Sequence, residues 1–438
     1  MNEKVEQLKT EILEKVREYS QVAHAPDPFV PFKTKVRYAG RVFDDQEVTA
    51  LISSALDFWL TLGPYGVQFE TKMRNFFGVR DFVLTNSGSS ANLAAITALC
   101  SKNLDGHMTS GGEVITPAVT FPTTLAPIIQ NGLVPVFVDC ELGTYDVDVD
   151  AVAAAVSSKT QALVLPHTLG NPCRMDVLME IAREHDLWVV EDCCDALGAK
   201  YGGKLIGTFG DVSTCSFYPA HHITLGEGGG VVVREPKIAK IVRSVRDWGR
   251  DCWCEPGQSD TCGKRFGWKL GDLPEGYDHK YTYSEIGYNL KPTDLQAAIG
   301  TVQAERIGDF HLRRQHNFDR LYAGLKAYEE FLILPKAYPD AEPAWFAFPL
   351  TVRGGVVRSE LVAWLEESLI ETREIFSGNI LRQPAYRDVV HRVQGDLSQS
   401  DVVMRDTFFI GVYPGLTTEM LDFVLERFEE FFRARGLS

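Results

Sequence analysis

The chain has 438 residues, 45% of them apolar and 11% aromatic, and a formal net charge of −15. That length and apolar content supply a large core and room for two or three domains. The acidic balance excludes sequence-independent nucleic-acid binding, which needs a basic surface, and it disfavours an anionic membrane surface as partner.

The first stretch, MNEKVEQLKTEILEKVREY, is charged throughout and lacks the apolar core of a signal peptide. Val5, Leu8, Ile12 and Val16 recur at helical spacing and predict an amphipathic helix in an N-terminal extension over 1–40. No apolar run approaches the ~18 residues needed to span a bilayer. A cytoplasmic protein with no membrane partner is expected.

From about residue 70 to 235, short apolar runs alternate with helical patterns. Phe82-Val83-Leu84 precedes NSGSSANLAAITALC, Val114-Ile115 precedes TTLAPIIQN, and Val136-Phe137-Val138 ends at Asp139. The run 162–165 ends at Pro166-His167, and the run 187–190 ends at Glu191-Asp192. Runs at 212–217 and 231–233 complete the series. Strands separated by helical segments predict an α/β fold with a mainly parallel, seven-stranded sheet and helices on both faces. Ligands bind such sheets beyond the carboxyl ends of the strands. Residues 87–90, Phe121, His167, Asp192 and the turn at 216–221 are therefore expected to converge on one site.

Residues 246–284 break this pattern. They are rich in Gly, Asp and Cys, and so long an aperiodic stretch inside a domain is usually functional. From about 304, helical patterns and a strand at 348–352 (FPLTV) predict a smaller α+β domain. Its last helix carries Leu421, Val424, Leu425, Phe428, Phe431 and Phe432 on one face. The expected division is a helical extension at 1–40, a large domain at 41–303 with the 246–284 insertion, and a small domain at 304–438.

Several residues carry chemistry. Asp192 ends an apolar strand, where a carboxylate serves either as a helix cap or as partner of a protonated ring nitrogen. Ser87-Gly88-Ser89-Ser90 opens a helix, which makes either a cap or a phosphate seat. Of nine cysteines, Cys194, Cys252, Cys254 and Cys262 are spaced C-x57-C-x-C-x7-C. In a reducing cytosol such clustering points to metal or redox chemistry rather than disulfides. The two thiols of C-x-C share one side of an extended chain, and four thiolates suit a [2Fe–2S] cluster or Zn²⁺. Cys193 is the local rival of Cys194. Cys100, Cys140, Cys173 and Cys215 read as packing residues.

Seven motifs occur in one order: GPYGVQFE (63–70), TNSGSSAN (85–92), TFPTT (120–124), HTLGNP (167–172), VVEDCCDALGA (189–199), SFYPAHHITLGEGG (216–229) and GYNLKPTDLQAAIG (287–300). Together they resemble the sugar aminotransferases of fold-type I, which are pyridoxal-phosphate (PLP) enzymes, over nearly the whole chain beyond residue 40. In that family the sixth motif reads S-F-H-P-x-K, and its lysine holds the cofactor covalently. Position 221 is His here. This departure and the cysteine spacing are similar to the iron–sulfur sugar 3-dehydrases that act on CDP-4-keto-6-deoxyglucose.

The resemblance implies a set of roles. An imidazole is not a primary amine, so the cofactor is held noncovalently as pyridoxamine phosphate (PMP). His221 becomes the catalytic base, for which an imidazole's ordinary pKa is suited. Its neighbour His222 aligns less well with the lysine. Asp192 pairs with the ring nitrogen and Phe121 stacks on the ring. Gly88, Ser89, Ser90 and Ser216 hold the phosphate, and Asn289 reaches it from the partner subunit of a homodimer. Asp195 and Tyr218 tune the pocket. Cys194, Cys252, Cys254 and Cys262 hold the [2Fe–2S] cluster.

The expected reaction removes the C3 hydroxyl of a nucleotide-linked 4-keto-6-deoxyhexose, toward 3,6-dideoxysugars for lipopolysaccharide. A separate flavin/iron–sulfur reductase supplies electrons. CDP is the expected nucleotide, with TDP as the alternative. A cluster-independent dehydrase that regenerates PMP from glutamate is the other alternative. The segment SGNILRQPAY (377–386) resembles a substrate-contacting segment, with Arg382 as a phosphate partner.

Overall fold

The computed structural model describes residues 3–252, 254 and 263–437. The N-terminal sequence forms the expected helix, α1 (Glu3–Ala23), which packs against α2 (Asp45–Asp57). A capping box starts α2: Gln46 N–H donates to Asp44 at 2.8 Å, and Asp44 N–H donates to Glu47 at 3.0 Å. The apolar stripe of α1 is not buried by the rest of the chain. Val5, Leu8 and Ile12 stay 51%, 48% and 42% exposed.

The main sheet is built as the apolar runs predict. Its strands are β1 (Asp81–Thr85), β2 (Glu113–Pro117), β3 (Val134–Val138), β4 (Thr160–Pro166) and β5 (Trp188–Asp192). After a short ribbon, β6 (Lys200–Tyr201) and β7 (Lys204–Leu205), come β8 (Val212–Ser216) and β9 (Gly229–Val233). Later strands are β10 (Leu332–Ile333), β11 (Ala341–Glu342), β12 (Ala347–Val352), β13 (Arg392–Val393) and β14 (Thr407–Gly411). The sheet order is β1-β9-β8-β5-β4-β2-β3-β13. It has eight strands rather than seven, because β13 adds in parallel beside β3, with Arg392 opposite Val136. A strand of two residues carries no readable periodicity. Only β9 runs antiparallel, to both β1 and β8.

Helices cover both faces, which is why the strands read as continuous apolar runs. They include α3 (Pro64–Phe77), α4 (Gly88–Leu99), α5 (Pro122–Gln130), α6 (Val149–Ala155), α7 (Met175–Glu184), α8 (Pro236–Arg246) and α9 (Asp294–Gln303). Strand alternation splits the core in two: Phe82, Leu84 and Ile115 pack on one face, Val83, Val114 and Ala162 on the other.

A second sheet, β10-β12-β14, packs with α10 (Ile307–Leu325), α11 (Arg358–Glu367) and α13 (Thr418–Ala434); α12 (Ser398–Asp406) leads into β14. Its core holds Phe318 stacked on Trp345 at 4.4 Å, with Phe348, Phe408 and Phe428. The predicted face of α13 is buried at Leu421, Val424, Phe428, Phe431 and Phe432, while Leu425 is half-buried.

Within 246–284, the backbone is pinned by isolated bridges from Asp247 to Asn289 and from Arg250 to Tyr283. Trp268 stacks on His279. The predicted ligand Cys262 lies outside the described residues. Among the described residues, no helix is long and apolar enough to cross a membrane.

Candidate active site

A cavity of about 320 Å³ opens where β4, β5 and β8 end and α4 begins. Gly88, Ser89, Phe121, His167, Asp192 and Ser216 line it, as the strand-end argument requires. Cys194, Asp195, Tyr218 and His221 complete the predicted residues found there, and Phe346 and Phe409 close the far wall.

Asp192 is 6% exposed and tightly held. One oxygen, Oδ2, accepts from Asn92 Nδ2 at 2.8 Å and Thr124 Oγ1 at 2.7 Å. The other accepts from Cys194 N–H at 3.1 Å. Thr214 Oγ1 in turn donates to Asn92 Oδ1 at 2.6 Å, which orients the amide. This donor network fixes the orientation of the carboxylate against the cavity.

The start of α4 opens onto the cavity. Its N-cap, Ser87, accepts from Ser90 N–H at 3.1 Å, leaving earlier N–H groups free. Gly88 must be glycine here: a Cβ would lie 2.5 Å from Ser216 Cβ and 3.0 Å from Cys194 Sγ. Ser90 does not line the cavity, contrary to expectation. Its hydroxyl is engaged by Ser87 Oγ at 3.0 Å, in the cap itself.

His221 lines the cavity, whereas His222 turns away. His222 is buried and donates from Nε2 to the Ala344 carbonyl at 2.7 Å. Burial and the Arg314 charge hold its pKa well below the usual imidazole value, so it stays neutral. Behind His221, Asp195 Oδ1 stands 3.2 Å from Nδ1. Arg314, 1% exposed, donates from Nη2 to the His221 carbonyl at 3.2 Å and from Nη1 to the Phe346 carbonyl at 3.0 Å. Burial pushes its pKa down to about 10, opposed by the Asp195 charge. Arg314 was not foreseen: within HLRRQHNF it is one basic residue among several on α10.

His167 and Glu191 form a second buried pair. Cys173 N–H donates to His167 Nδ1 at 3.1 Å, so the proton is assigned to Nε2, 3.4 Å from Glu191 Oε2. Burial alone raises a carboxyl pKa, yet His167 and the N–H groups of Gly210 and Gly207 hold Glu191 below its ordinary value. Glu191 also accepts from Phe209 N–H at 2.8 Å. It therefore ties the 207–210 loop to the cavity wall.

Asn289, expected to act at the partner subunit's site, is exposed and does not line this chain's own cavity. Arg382 is bound to Asp401 at 2.7 Å and 3.0 Å and also lies outside the cavity lining. Cys252 and Cys254 line a separate cavity with Arg80, Asp81 and Lys240, while Cys194 faces the first one. The described residues therefore do not bring Cys194, Cys252 and Cys254 together around one cavity, and the fourth expected ligand, Cys262, lies outside them. Among the described residues, the only close ligating group is His167, Glu191 and Cys193, whose His and Glu atoms are already hydrogen-bonded.

A helix start open to the cavity, a held carboxylate across from it and an exposed aromatic edge, Phe121, fit a phosphorylated pyridine. At position 221 there is no amine to bind it covalently. Residues 42–429 match the DegT/DnrJ/EryC1/StrS aminotransferase family. The chain is 50% identical over 428 residues to the lipopolysaccharide biosynthesis protein RfbH of Salmonella typhimurium, covering 97% of this chain and 98% of that protein. It is also 50% identical over 432 residues to the dTDP-4-dehydro-2,6-dideoxy-D-glucose 3-dehydratase of Saccharopolyspora spinosa, covering 98% and 93%. Among solved structures, the E. coli GDP-4-keto-6-deoxy-D-mannose-3-dehydratase with bound hydrated PLP superposes with a TM-score of 0.80 at 29% identity, over 90% of this chain and 98% of that one. A GDP-4-keto-6-deoxymannose-3-dehydratase with a trapped PLP-glutamate geminal diamine gives 0.80 at 28% identity, over 89% and 99%. The fold-type I architecture expected from the motifs is the observed one, and the chain belongs to the DegT/DnrJ/EryC1/StrS aminotransferase family.

Proposed function

We propose that this protein is a PMP-dependent sugar-nucleotide 3-dehydrase acting on a nucleotide-linked 4-keto-6-deoxyhexose. The observation that carries it is His221, backed by Asp195, at the wall of a cavity whose floor is Asp192. The relatives named as 3-dehydratases support the substrate class.

When bound, PMP supplies an amino group that condenses with the C4 ketone and a ring that accepts electron density. Asp192 would pair with the ring nitrogen, Gly88, Ser89 and Ser216 would hold the phosphate, and Phe121 would stack on the ring. His221 removes a proton at C4′ through Nε2 while Asp195 holds Nδ1. The same imidazole, once protonated, would be the acid available to assist departure of the C3 hydroxyl as water. The exposed Asn289 supports a homodimer in which it reaches the partner's phosphate seat.

Net loss of the C3 hydroxyl consumes two electrons and two protons per turnover. The C-x57-C-x-C-x7-C spacing supports a [2Fe–2S] cluster fed by a separate reductase. The separation of Cys194 from Cys252 and Cys254 favours a second reading, in which glutamate restores PMP. CDP is the nucleotide implied by resemblance; the Saccharopolyspora relative favours dTDP.

The deciding assay follows mass loss of the C3 oxygen from CDP- and dTDP-linked 4-keto-6-deoxyhexoses, using PMP-loaded protein with glutamate or with a reductase. Iron and acid-labile sulfide are measured on anaerobically prepared protein. No C3 loss from either sugar sinks the reading. Turnover with glutamate and no iron removes the cluster.

A further inference from the structure

The cavity has a second charged feature that the cofactor does not use. Arg373 is the only lysine or arginine among the described residues lining it. Its guanidinium lies over the Tyr38 ring, 4.3 Å from the centroid. One N–H group is spent on the Thr372 carbonyl at 2.6 Å. An arginine offers five donors, so most of the fork remains available.

Both neighbouring acids have cation partners of their own: Glu371 pairs with Lys35 at 3.2 Å, and Glu374, which also lines the cavity, pairs with Arg358 at 2.7 Å. Among the described residues, no carboxylate forms an ion pair with Arg373. The cation is nonetheless fixed in place. Its backbone exchanges two hydrogen bonds with Phe409, at 3.0 Å and 2.7 Å. Tyr38 packs on Phe409 at 5.9 Å, and residue 36 is bridged to residue 370. A pre-set, stacked guanidinium loses little entropy on gripping an oxyanion and matches phosphate in a bidentate fashion.

Its position relative to the base is also defined. Phe409 contacts Phe346 at 6.1 Å, and Phe346 contacts His221 at 5.6 Å. A row of rings therefore separates Arg373 from His221 along one wall. The cofactor's phosphate seat at Gly88 belongs to the large sheet, whereas Arg373 pairs with β14 of the smaller one.

Resting on the nucleotide-sugar reading above, we propose that Arg373 on Tyr38 is the subsite for the diphosphate of the substrate. Sugar then extends along Phe409 and Phe346 to His221, and the nucleoside points outward. The subsite grips a group common to all nucleoside diphosphates, so it anchors without choosing the base. Arg382, bound to Asp401, lies outside this cavity's lining.

The test uses PMP-loaded full-length protein and calorimetric titration with CDP and with dTDP. Arg373→Ala is expected to weaken both by about 10- to 100-fold, the worth of a charge-assisted hydrogen bond. Arg373→Lys, which keeps charge but loses the planar fork, is expected to fall between. PMP affinity stays at the wild-type value in both variants, which also reports that they fold. Unchanged diphosphate affinity in Arg373→Ala overturns the subsite while leaving the function intact. Wild-type protein that binds PMP but neither diphosphate overturns both. A loss confined to one nucleotide overturns the claim that the subsite ignores the base.

Discussion

Asp195 Oδ1 faces His221 Nδ1 at 3.2 Å, and both side chains line the cavity that Asp192 also lines. The contact is an ion-pair distance without full hydrogen-bond alignment, as Asp195 Oδ2 and His221 Nδ1 both lack a well-directed partner. Such catalytic contacts commonly tighten when ligand binds. Arg314 fixes the other end of the arrangement through the His221 carbonyl.

Asp195→Asn tests this pairing. The amide retains the shape but not the charge, so it orients the imidazole less firmly. Turnover is expected to fall about 10- to 100-fold, within the range of general acid–base contributions. PMP affinity, measured by titration, stays near the wild-type value.

Gly88→Ala tests the phosphate seat. The new Cβ meets Ser216 Cβ at 2.5 Å, so either β8 or the start of α4 has to shift. PMP binding is expected to weaken by about 10-fold or more, since charge-assisted hydrogen bonds to the phosphate are lost. Thermal unfolding without PMP also moves down; a variant that binds PMP normally contradicts the seat.

Glu191→Gln tests the anchor behind the site. An amide cannot accept on both atoms from Gly207, Phe209 and Gly210 while also meeting His167. The expected cost is about 2–4 kcal/mol in denaturant unfolding, as for a broken buried charged network. A change below ~1 kcal/mol would show that the loop does not depend on it.

His222 gives a pH prediction with a definite sign. Its folded pKa is lowered by burial and by Arg314, with smaller contributions from His221 and His311. The unfolded chain therefore binds a proton below about pH 6.5 that the folded protein refuses. Stability is complete above that pH and declines as pH falls toward the folded value, by up to ~1.4 kcal/mol per pH unit. His222→Asn, which keeps an N–H donor for Ala344, is expected to flatten the melting-temperature profile between pH 5 and 6.5.

Much of this is legible in the sequence. The seven long strands stood out because each is buried on both faces and reads as an apolar run. Asp192, Ser216 and His221 followed because strand ends in such sheets point at ligand. What escaped notice had a physical reason. β13 is too short to show a period. Asn92 and Thr124 act by supporting Asp192, a relation set by α4 and α5 crossing one strand end. Arg314 and Arg373 look like solvated charges until the fold buries one and stacks the other on Tyr38. Ser90 misled because a capping hydroxyl and a phosphate ligand share one sequence signature. The cysteine spacing is clear in the sequence, but the folded chain divides Cys194 from Cys252 and Cys254 between two cavities.

The most direct measurement is proton exchange at C4′ of the cofactor. Protein loaded with C4′-deuterated PMP and given a nucleotide-linked 4-keto-6-deoxyhexose should release one deuteron stereospecifically to solvent. His221→Asn should slow that release by about 10²- to 10⁴-fold, the usual worth of a general base, while PMP still binds. Equal release from both proteins would contradict the assignment of His221 as the base.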